Sequence, residues 1–321
     1  EISACLVGSE MCIRDSFLLT GVKKQEYTNA STTQLVNAKT NDWDYDLIAK
    51  LGYPRDIFLP IEMPGTEVGH LSQTIQDQVG FDCSVVLPAT HDTGAAVMAV
   101  PSLSDDTLYI SSGTWSLMGT ELKTANCSPD SMACNFTNEG GYDHRYRYLK
   151  NIMGLWMIQS VRKELSPDEE FGSICEHAAT ETITSIVDAN DDRFLAPQNM
   201  TAEVQAACRE SGQKVPEGIY QVAAVIYNSL AKCYADTVRE IEKIEHVTYP
   251  CINIVGGGAN AAYLNELTAK ATGKTVYAGP TEATAIGNIM AQMIAAGELQ
   301  DLAEARKCVF HSFEIKEEKG C

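Results

Sequence analysis

The sequence predicts an α/β fold, in which strands and helices alternate and glycine turns follow strands. The first observation is a stretch that joins an apolar run at 250–255, the glycine turn Gly256 to Asn260, and apolar residues at helical spacing to Ala271. The second is the alternation of strand-like and helix-like patterns from about Ala89 to Leu299. The third is a long amphipathic helix, whose predicted buried face comprises Ile219, Val222, Ile226, Leu230, Cys233, Val238 and Ile241.

Composition indicates an ordinary globular protein with no membrane segment. The chain has 321 residues, of which 45% are hydrophobic and 21% charged. No uninterrupted apolar run approaches the ~20 residues that span a bilayer. The formal net charge of −19 makes nucleic acid and anionic membranes poor partners. The 11 cysteines are scattered singly, so we expect reduced thiols in a cytoplasmic protein.

The part of the chain before Ala89 has a mixed pattern. The small polar residues from Tyr27 to Thr33 suit a loop near a ligand. Helical spacing from Asp44 to Leu51 ends near Gly52, which is a typical helix stop. An irregular connection at 60–65 precedes an apolar, strand-like run at 84–88.

An acidic residue and a small-residue turn are the candidate proton acceptor and the candidate phosphate-binding motif. Asp92 follows the run at 84–88, so we expect its carboxylate at a strand end, facing a cleft. The turn Ser112-Gly113-Thr114 follows a second strand-like run, and the backbone N–H groups of such a turn can converge on phosphate. A proton acceptor that faces a phosphate cradle is the minimum apparatus of a kinase. Each motif alone also fits a structural role, since Asp92 is compatible with a helix cap.

The glycine turn at 256–260 adds a candidate nucleotide contact. Only glycine lets a ligand approach the backbone closely after a strand, although a glycine run also makes a simple tight turn. The spacing differs from G-x-G-x-x-G, and the chain has no G-x-x-x-x-G-K-[ST], which argues against a Rossmann site and a P-loop. Downstream, we expect a strand at Thr275 to Ala278, a helix from about Gly279 to Ala296, and a charged, frayed end at 315–321.

The ordered set of motifs resembles the FGGY family of carbohydrate kinases. The segments that carry the resemblance are His91-Asp92-Thr93, Ser111 to Leu117, Asn135 to Gly141, Asn151 to Trp156, Val255 to Gly258 and Gly279 to Ala285. The resemblance implies a ribonuclease-H-like fold of the actin/hexokinase ATPase type, with ligands between two lobes. It also implies that this chain holds the end of the first lobe and the whole second lobe.

The expected domain organisation comprises four segments. Residues 1–16 show no sustained periodicity and are expected to be foreign sequence. By resemblance, residues 17–95 form the end of the sugar-binding domain, 96–305 form the nucleotide-binding domain, and 306–321 form a tail.

The resemblance also assigns ligands to individual residues. It implies that Asp92 is the general base, that the sugar contacts His91, Asp92, Thr93 and Asn151, and that ATP contacts Ser112, Gly113, Thr114, Gln159, Gly256, Gly257 and Gly258. Asn151 and Gln159 are two helical turns apart, so we expect them on one helix face. Mg²⁺ would bridge the phosphate oxygens, with no protein metal site.

The implied reaction is transfer of the ATP γ-phosphate to the 1-hydroxyl of L-rhamnulose, by a monomer or weak homodimer. The alternatives are a kinase for fuculose, xylulose or glycerol, and a nucleotide-binding module without transfer activity.

Overall fold

The computed structural model describes residues 14–320, so most of the segment expected to be foreign, at 1–16, lies outside the described residues. These residues divide into two compact units. The first comprises the residues up to Asp105, Thr120–Leu149 and Glu282–Ser312. The second comprises Asp106–Gly119, Lys150–Thr281 and the residues from Phe313 onwards. The domain boundaries predicted at 95/96 and 305/306 stay a prediction.

The elements follow one another in a mixed α/β order, after helical residues at 14–20. Up to Met153 they are β1 Gln25–Glu26, α1 Tyr27–Ala30, β2 Val36–Asn37, β3 Asp42–Trp43, α2 Tyr45–Leu51, β4 Ile61–Glu62, β5 Glu67–His70, α3 Gln73–Val79, β6 Ser84–Val86, α4 Asp92–Met98, β7 Leu108–Ser112, β8 Trp115–Leu122, α5 Pro129–Ala133, β9 Thr137–Gly140 and β10 Tyr146–Met153. After it come α6 Trp156–Leu165, α7 Phe171–Ala178, α8 Met200–Glu210, α9 Gly218–Glu245, β11 Cys251–Val255, α10 Ala262–Thr272, β12 Thr275–Ala278, α11 Ala283–Ala295, α12 Leu302–Ser312 and β13 Lys316–Glu318. Short 3₁₀ turns occupy Ser31–Thr33, Arg55–Ile57, Tyr142–His144, Asp192–Phe194 and Gly257–Asn260.

The first helix predicted from the sequence is capped at both ends. The Asp44 side chain accepts a hydrogen bond from the Leu47 backbone N–H at 2.9 Å, and Gly52 ends α2 in the left-handed region with φ of 75°. Ile48 on this helix is buried with Trp43 and Ala30, and Leu35, Val36 and Phe58 pack around them. The helix predicted from Asp44 to Leu51 is therefore confirmed, and it closes a small core in the first unit.

Two alanine-rich helices of the first unit pack at very short range. α4 lies against α11, where a Cβ at Gly287 would lie 1.9 Å from the carbonyl oxygen of Ala95. Only glycine permits that approach at this point of the contact. α11 therefore supports the helix that begins at Asp92.

The second unit contains a mixed sheet. In it β11 runs parallel to β7 and to β12, and β7 runs antiparallel to β8. β13 pairs antiparallel with β12, so the chain end that was expected to be frayed forms an edge strand instead. Lys316 and Glu317 are exposed there, and charged side chains suit such an edge because they discourage pairing with a further strand.

The long amphipathic helix is confirmed as α9, which runs over 28 residues from Gly218 to Glu245. Val222, Ile226, Leu230 and Ile241 are buried, as their spacing predicts. α9 packs against α6, α7, α8 and α10, so it forms the centre of the helical part of the second unit. No helix within residues 14–320 is long and apolar enough to cross a membrane.

Candidate functional site

The predicted base, Asp92, is the first residue of α4 and not the last of a strand. β6 ends at Val86, and five residues later His91 serves as the N-cap of the helix. The Asp92 side chain is 56% exposed, and its Oδ1 accepts a hydrogen bond of 2.6 Å from the Thr93 N–H. An acidic residue in the first helical turn is stabilised by the helix dipole. The carboxylate therefore combines a helix-end position with access to a ligand.

A buried carboxylate that the sequence did not reveal holds the segment before Asp92. Glu26 accepts hydrogen bonds from the backbone N–H and hydroxyl of both Thr28 and Thr90, at 2.5 to 2.9 Å. The Thr28 hydroxyl in turn accepts a bond of 3.1 Å from the His91 N–H. Burial raises the pKa of Glu26, although these donors act to lower it. The network ties the chain at 26–28 to the residues on either side of His91.

His91 lies among charged groups of the first unit. Its Nδ1 is 3.8 Å from Glu139 Oε2, and its Nε2 is 3.7 Å from Asp92 Oδ1. Arg147 Nη1 lies 3.0 Å from the same Glu139 oxygen. Burial and the positive charge of Arg147 lower the pKa of His91 from 6.5 to about 4, while Glu139 and Asp92 act to raise it. His91 is therefore neutral at pH 7.

The Ser112-Gly113-Thr114 turn of the second unit joins β7 to β8, as predicted. The Gly113 N–H donates to the Trp115 carbonyl at 2.8 Å, which closes the turn. The carbonyls of Gly113 and Thr114 accept bonds of 3.1 Å from the N–H groups of Leu155 and Trp156 at the start of α6. Ser112 is buried, whereas the Thr114 side chain is exposed and available to a ligand.

The glycine turn after β11 packs directly on Ser112. A Cβ at Gly258 would lie 1.9 Å from Ser112 Oγ, and one at Gly256 would lie 2.9 Å from the Ser112 carbonyl oxygen. Gly256 also has φ of 86°, which favours glycine. A Cβ at Gly257 would meet no atom within 4 Å. Two of the three glycines therefore serve packing, and the third faces open space.

A cavity of about 310 Å³ in the second unit gathers residues of the predicted nucleotide set. Gly113, Gln159 and Gly257 line it. Its apolar walls include Leu155, Ile158, Phe171 and Tyr227, which come from α6, α7 and α9 and the residue before α6. A cleft with apolar walls and a few polar groups is the usual form of a small-molecule site.

Asn151 and Gln159 do not share a helix, so the arrangement expected from their spacing is wrong. Asn151 is an exposed residue of β10, whereas Gln159 is a half-buried residue of α6. Gly154 separates the two elements, and a Cβ there would lie 2.5 Å from the Trp115 carbonyl carbon. Because strand and helix residues follow different periods, residue spacing across this junction carries no information on a shared face. The assignment of Asn151 to the sugar stays a prediction.

A larger cavity, of about 440 Å³, lies elsewhere in the second unit. Its lining includes Lys150, Asp188, Lys232, Asp236 and Glu240, and none of the predicted site residues. Lys150 donates to Glu240 at 2.6 Å and Lys232 donates to Asp236 at 2.7 Å. Because residues predicted to bind the nucleotide line the smaller cavity and not the larger one, the smaller cavity is the candidate site.

Glu26, Glu139 and Arg147 are site residues that sequence reasoning did not assign. Glu139 lies within the Asn135 to Gly141 motif, which marked the segment without giving the residue a role. Arg147 is opposite Glu139 in the pairing of β9 with β10, a register that the sequence alone does not provide. Glu26 belongs to no recognisable pattern.

Comparison with known proteins identifies the same family over both units. A model of the FGGY family of carbohydrate kinases, N-terminal domain, matches residues 6–99, and the C-terminal domain model matches residues 108–296. A rhamnulokinase of Oceanobacillus iheyensis is 49% identical over 300 residues, which are 94% of this chain and 64% of that protein. A rhamnulokinase of Bacillus subtilis is 44% identical over 302 residues, or 94% of this chain and 62% of that protein. The chain thus spans less than two thirds of the length of these relatives.

Solved structures confirm the predicted fold class. The xylulose kinase of Lactobacillus acidophilus superposes with a TM-score of 0.75 at 16% identity, over 97% of this chain and 63% of that one. At that identity the likeness concerns the fold, which is the ribonuclease-H-like, actin/hexokinase type expected from the sequence. The family models match most of the chain and identify its family, which a likeness in fold alone does not. The chain belongs to the FGGY family of carbohydrate kinases.

Proposed function

We propose that this protein transfers the ATP γ-phosphate to the 1-hydroxyl of L-rhamnulose. The observation that carries the kinase part is the 310 Å³ cavity, because it brings Gly113, Gln159 and Gly257 together from three separate segments. The similarity to rhamnulokinases at 42 to 49% identity supports the choice of sugar.

The nucleotide is assigned to the second unit. The apolar cavity walls suit a purine ring, and the open side of Gly257 leaves room for the ring and its ribose. Gln159 supplies a polar group to the cavity, and the exposed Thr114 hydroxyl is available as a donor to phosphate oxygens. Ser112 packs against Gly256 and Gly258 and so holds the two turns together, which keeps their backbone groups in place for the phosphates.

The sugar is assigned to the first unit, at His91, Asp92 and Thr93. The Asp92 carboxylate accepts the proton of the 1-hydroxyl as that oxygen attacks the γ-phosphorus. A bond forms between the sugar oxygen and phosphorus, and the bond from phosphorus to the β,γ-bridging oxygen of ATP breaks, with ADP as the leaving group. Asp92 needs to be ionised and accessible for this role, and its side chain is more than half exposed.

The nucleotide substrate is proposed to be the Mg²⁺ complex of ATP. Within residues 14–320, no group of three or more His, Cys, Asp or Glu side chains is placed to hold a metal ion. Mg²⁺ usually accompanies nucleotides through phosphate oxygens and water. The ion would neutralise charge on the phosphates, while the residues described above position the reactants.

We further propose a cytoplasmic protein that acts as a monomer or weak homodimer. ATP and Mg²⁺ are available in that compartment, and the scattered cysteines fit a reducing environment. Light scattering after gel filtration over a range of protein concentrations tests the assembly state, and a stable larger oligomer would contradict it.

ADP release with a panel of sugars tests the proposed reaction. The panel comprises L-rhamnulose, L-fuculose, D-xylulose and glycerol, with a sample lacking sugar as control. We expect the highest kcat/KM with L-rhamnulose, and ³¹P and ¹³C NMR of the product should place phosphate on carbon 1. A preference for another member of the panel would change the substrate. ATP binding without sugar-dependent ADP release would instead identify a nucleotide-binding module.

A further inference from the structure

Three charged or polar side chains of the first unit leave buried atoms without hydrogen bonds. Within residues 14–320, His91 Nδ1 and Arg147 Nη2 are buried and lack a hydrogen-bond partner, while Glu139 Oε2 and Arg147 Nη1 are buried and meet each other only as an ion pair at 3.0 Å. Buried polar groups are nearly always satisfied, so such a cluster calls for a physical explanation. Glu139 Oε2 lies within 4 Å of both other residues, which makes it the central atom of the cluster.

The β9–β10 pair fixes where Glu139 and Arg147 lie. Arg147 is directly opposite Glu139 across the two strands. Arg147 is fully buried, and its Nε donates to the Gly140 carbonyl at 2.9 Å. Gly140 is itself held, because its N–H donates to Ser31 Oγ at 2.7 Å and a Cβ there would lie 2.6 Å from the Tyr27 ring. The strand that carries Glu139 is therefore held by its neighbours, and the Arg147 guanidinium beside the carboxylate is held by its bond to Gly140.

The neutral His91 ring can carry its one proton on either nitrogen. With the proton on Nδ1, the ring presents N–H to the Glu139 carboxylate and leaves the Nε2 lone pair beside Asp92. With the proton on Nε2, a lone pair would face the Glu139 carboxylate, and the N–H would point toward Asp92 Oδ1, occupying the proposed base. Each carboxylate attracts a proton to the nitrogen that it faces. Asp92 is 56% exposed and its Oδ1 already accepts hydrogen bonds from Thr93, whereas Glu139 is only 12% exposed, so Glu139 favours the Nδ1–H tautomer.

We propose that Glu139, held by Arg147, is a positioning residue that keeps His91 in the Nδ1–H tautomer, so that Nε2 accepts a hydrogen bond from a sugar hydroxyl next to Asp92. The sugar contact rests on the proposed function, whereas the tautomer does not. The separation of 3.8 Å between Nδ1 and Glu139 Oε2 is long for a hydrogen bond. Hydrogen bonds in active sites are often long before the substrate binds and shorten on binding.

Side-chain ¹⁵N NMR of histidine-labelled protein at pH 7 tests the tautomer directly. The His91→Gln protein identifies the His91 signals by their loss. We expect a protonated Nδ1 and an unprotonated Nε2 in the unmodified protein. A dominant Nε2–H form there would overturn the proposal, and this result needs no variant of Glu139 to fold.

Glu139→Gln supplies the second measurement, with Glu121→Gln as a matched control. The amide introduced by Glu139→Gln presents either a donor or an acceptor to His91, so we expect the tautomer preference to shift toward a mixture. Glu121 lies in the same unit, is buried to a similar degree at 11% against 12% exposure, and pairs with Arg306. Its substitution should leave the His91 signals unchanged. An unchanged tautomer in folded Glu139→Gln protein would remove Glu139 from the positioning role.

Kinetics separate this proposal from the proposed function. With L-rhamnulose, Glu139→Gln should lower kcat/KM for the sugar about tenfold or more, while the KM for ATP stays constant. Glu139→Asp, which keeps the charge, should recover part of that loss. Equal loss in Glu139→Asp and Glu139→Gln would argue against a charge effect. A protein without sugar-dependent turnover would overturn the proposed function and leave the NMR result to decide the role of Glu139.

Discussion

At the scale of single residues, the proposed sugar site depends on charged and polar side chains that are buried, although such side chains usually lie at the surface. Glu26 satisfies its carboxylate with the N–H and hydroxyl donors of Thr28 and Thr90, and this network also orients the His91 backbone. Its role follows from contacts between residues 64 positions apart, which no local pattern in the sequence discloses. The Asp92 motif, in contrast, was recognisable because its chemistry is carried by consecutive residues.

The lowered pKa of His91 predicts a specific loss of stability in acid. The unfolded chain takes up a proton near pH 6.5, whereas the folded protein does so near pH 4, so the folded state binds fewer protons between these values. The contribution of His91 is therefore fully present above pH 6.5 and declines as the pH falls. Relative to His91→Gln, the unmodified protein should lose ~2 kcal/mol of unfolding free energy between pH 7.5 and pH 5.

Urea unfolding at those two pH values measures this difference. The other histidines are common to both proteins, so their titration cancels in the comparison. The charged groups that face the ring, Arg147, Glu139 and Asp92, are likewise present in both proteins. Parallel pH dependences of the two proteins would show that His91 is not held neutral.

The three glycines of the turn at 256–258 predict different effects of substitution. Gly257→Val places its side chain in open space, so we expect stability close to that of the unmodified protein and ATP affinity lowered on the order of tenfold. Gly258→Ala, the matched variant, forces a methyl group onto Ser112 and should cost ~1–3 kcal/mol of stability. Calorimetric ATP titration and urea unfolding of both variants provide the test. Unchanged ATP affinity in Gly257→Val would place the nucleotide elsewhere.

At the scale of elements, the contact between α4 and α11 supports the segment that begins at Asp92. Gly287→Ala would bring a methyl group against the Ala95 carbonyl, which the two helices can relieve only by moving apart. We expect a loss of ~1–3 kcal/mol in unfolding free energy. Thermal and urea unfolding measure it.

Gly172→Ala is the matched control for that change. Gly172 also lies within a helix, α7, and a Cβ there would meet no atom within 4 Å. Its substitution should leave stability equal or slightly higher, since alanine is the better helix former. Equal stability of Gly287→Ala and the unmodified protein would show that α11 does not pack closely on α4.

How far the sequence predicts the elements depends on their length and register. α9 was predictable because a 28-residue amphipathic pattern has only one periodicity. β13 was not, because three charged residues at an edge strand show no alternation of hydrophobic residues. The junction between β10 and α6 was misassigned as one helix, since a short apolar run fits either element. The Glu139–Arg147 pair depends on strand register, which arises from tertiary packing.

At the scale of the whole molecule, each unit contributes a different part of the proposed chemistry. The first unit carries Asp92 with His91 and Glu139, and the second carries the Ser112 turn, the glycine turn and the cavity lined by Gln159. The family models match residues 6–99 and 108–296, which include both sets of residues. In the proposed reaction, removal of the base should slow transfer by orders of magnitude while nucleotide binding persists.

The most direct test compares sugar-dependent ADP release and ATP affinity in Asp92→Asn and the unmodified protein. The asparagine keeps the shape of the side chain and removes its capacity to take the proton. We predict a fall in kcat of roughly 10²–10⁴-fold, with ATP affinity within about twofold of the unmodified value. Sugar-dependent ADP release at the unmodified rate in the Asp92→Asn protein would contradict the account.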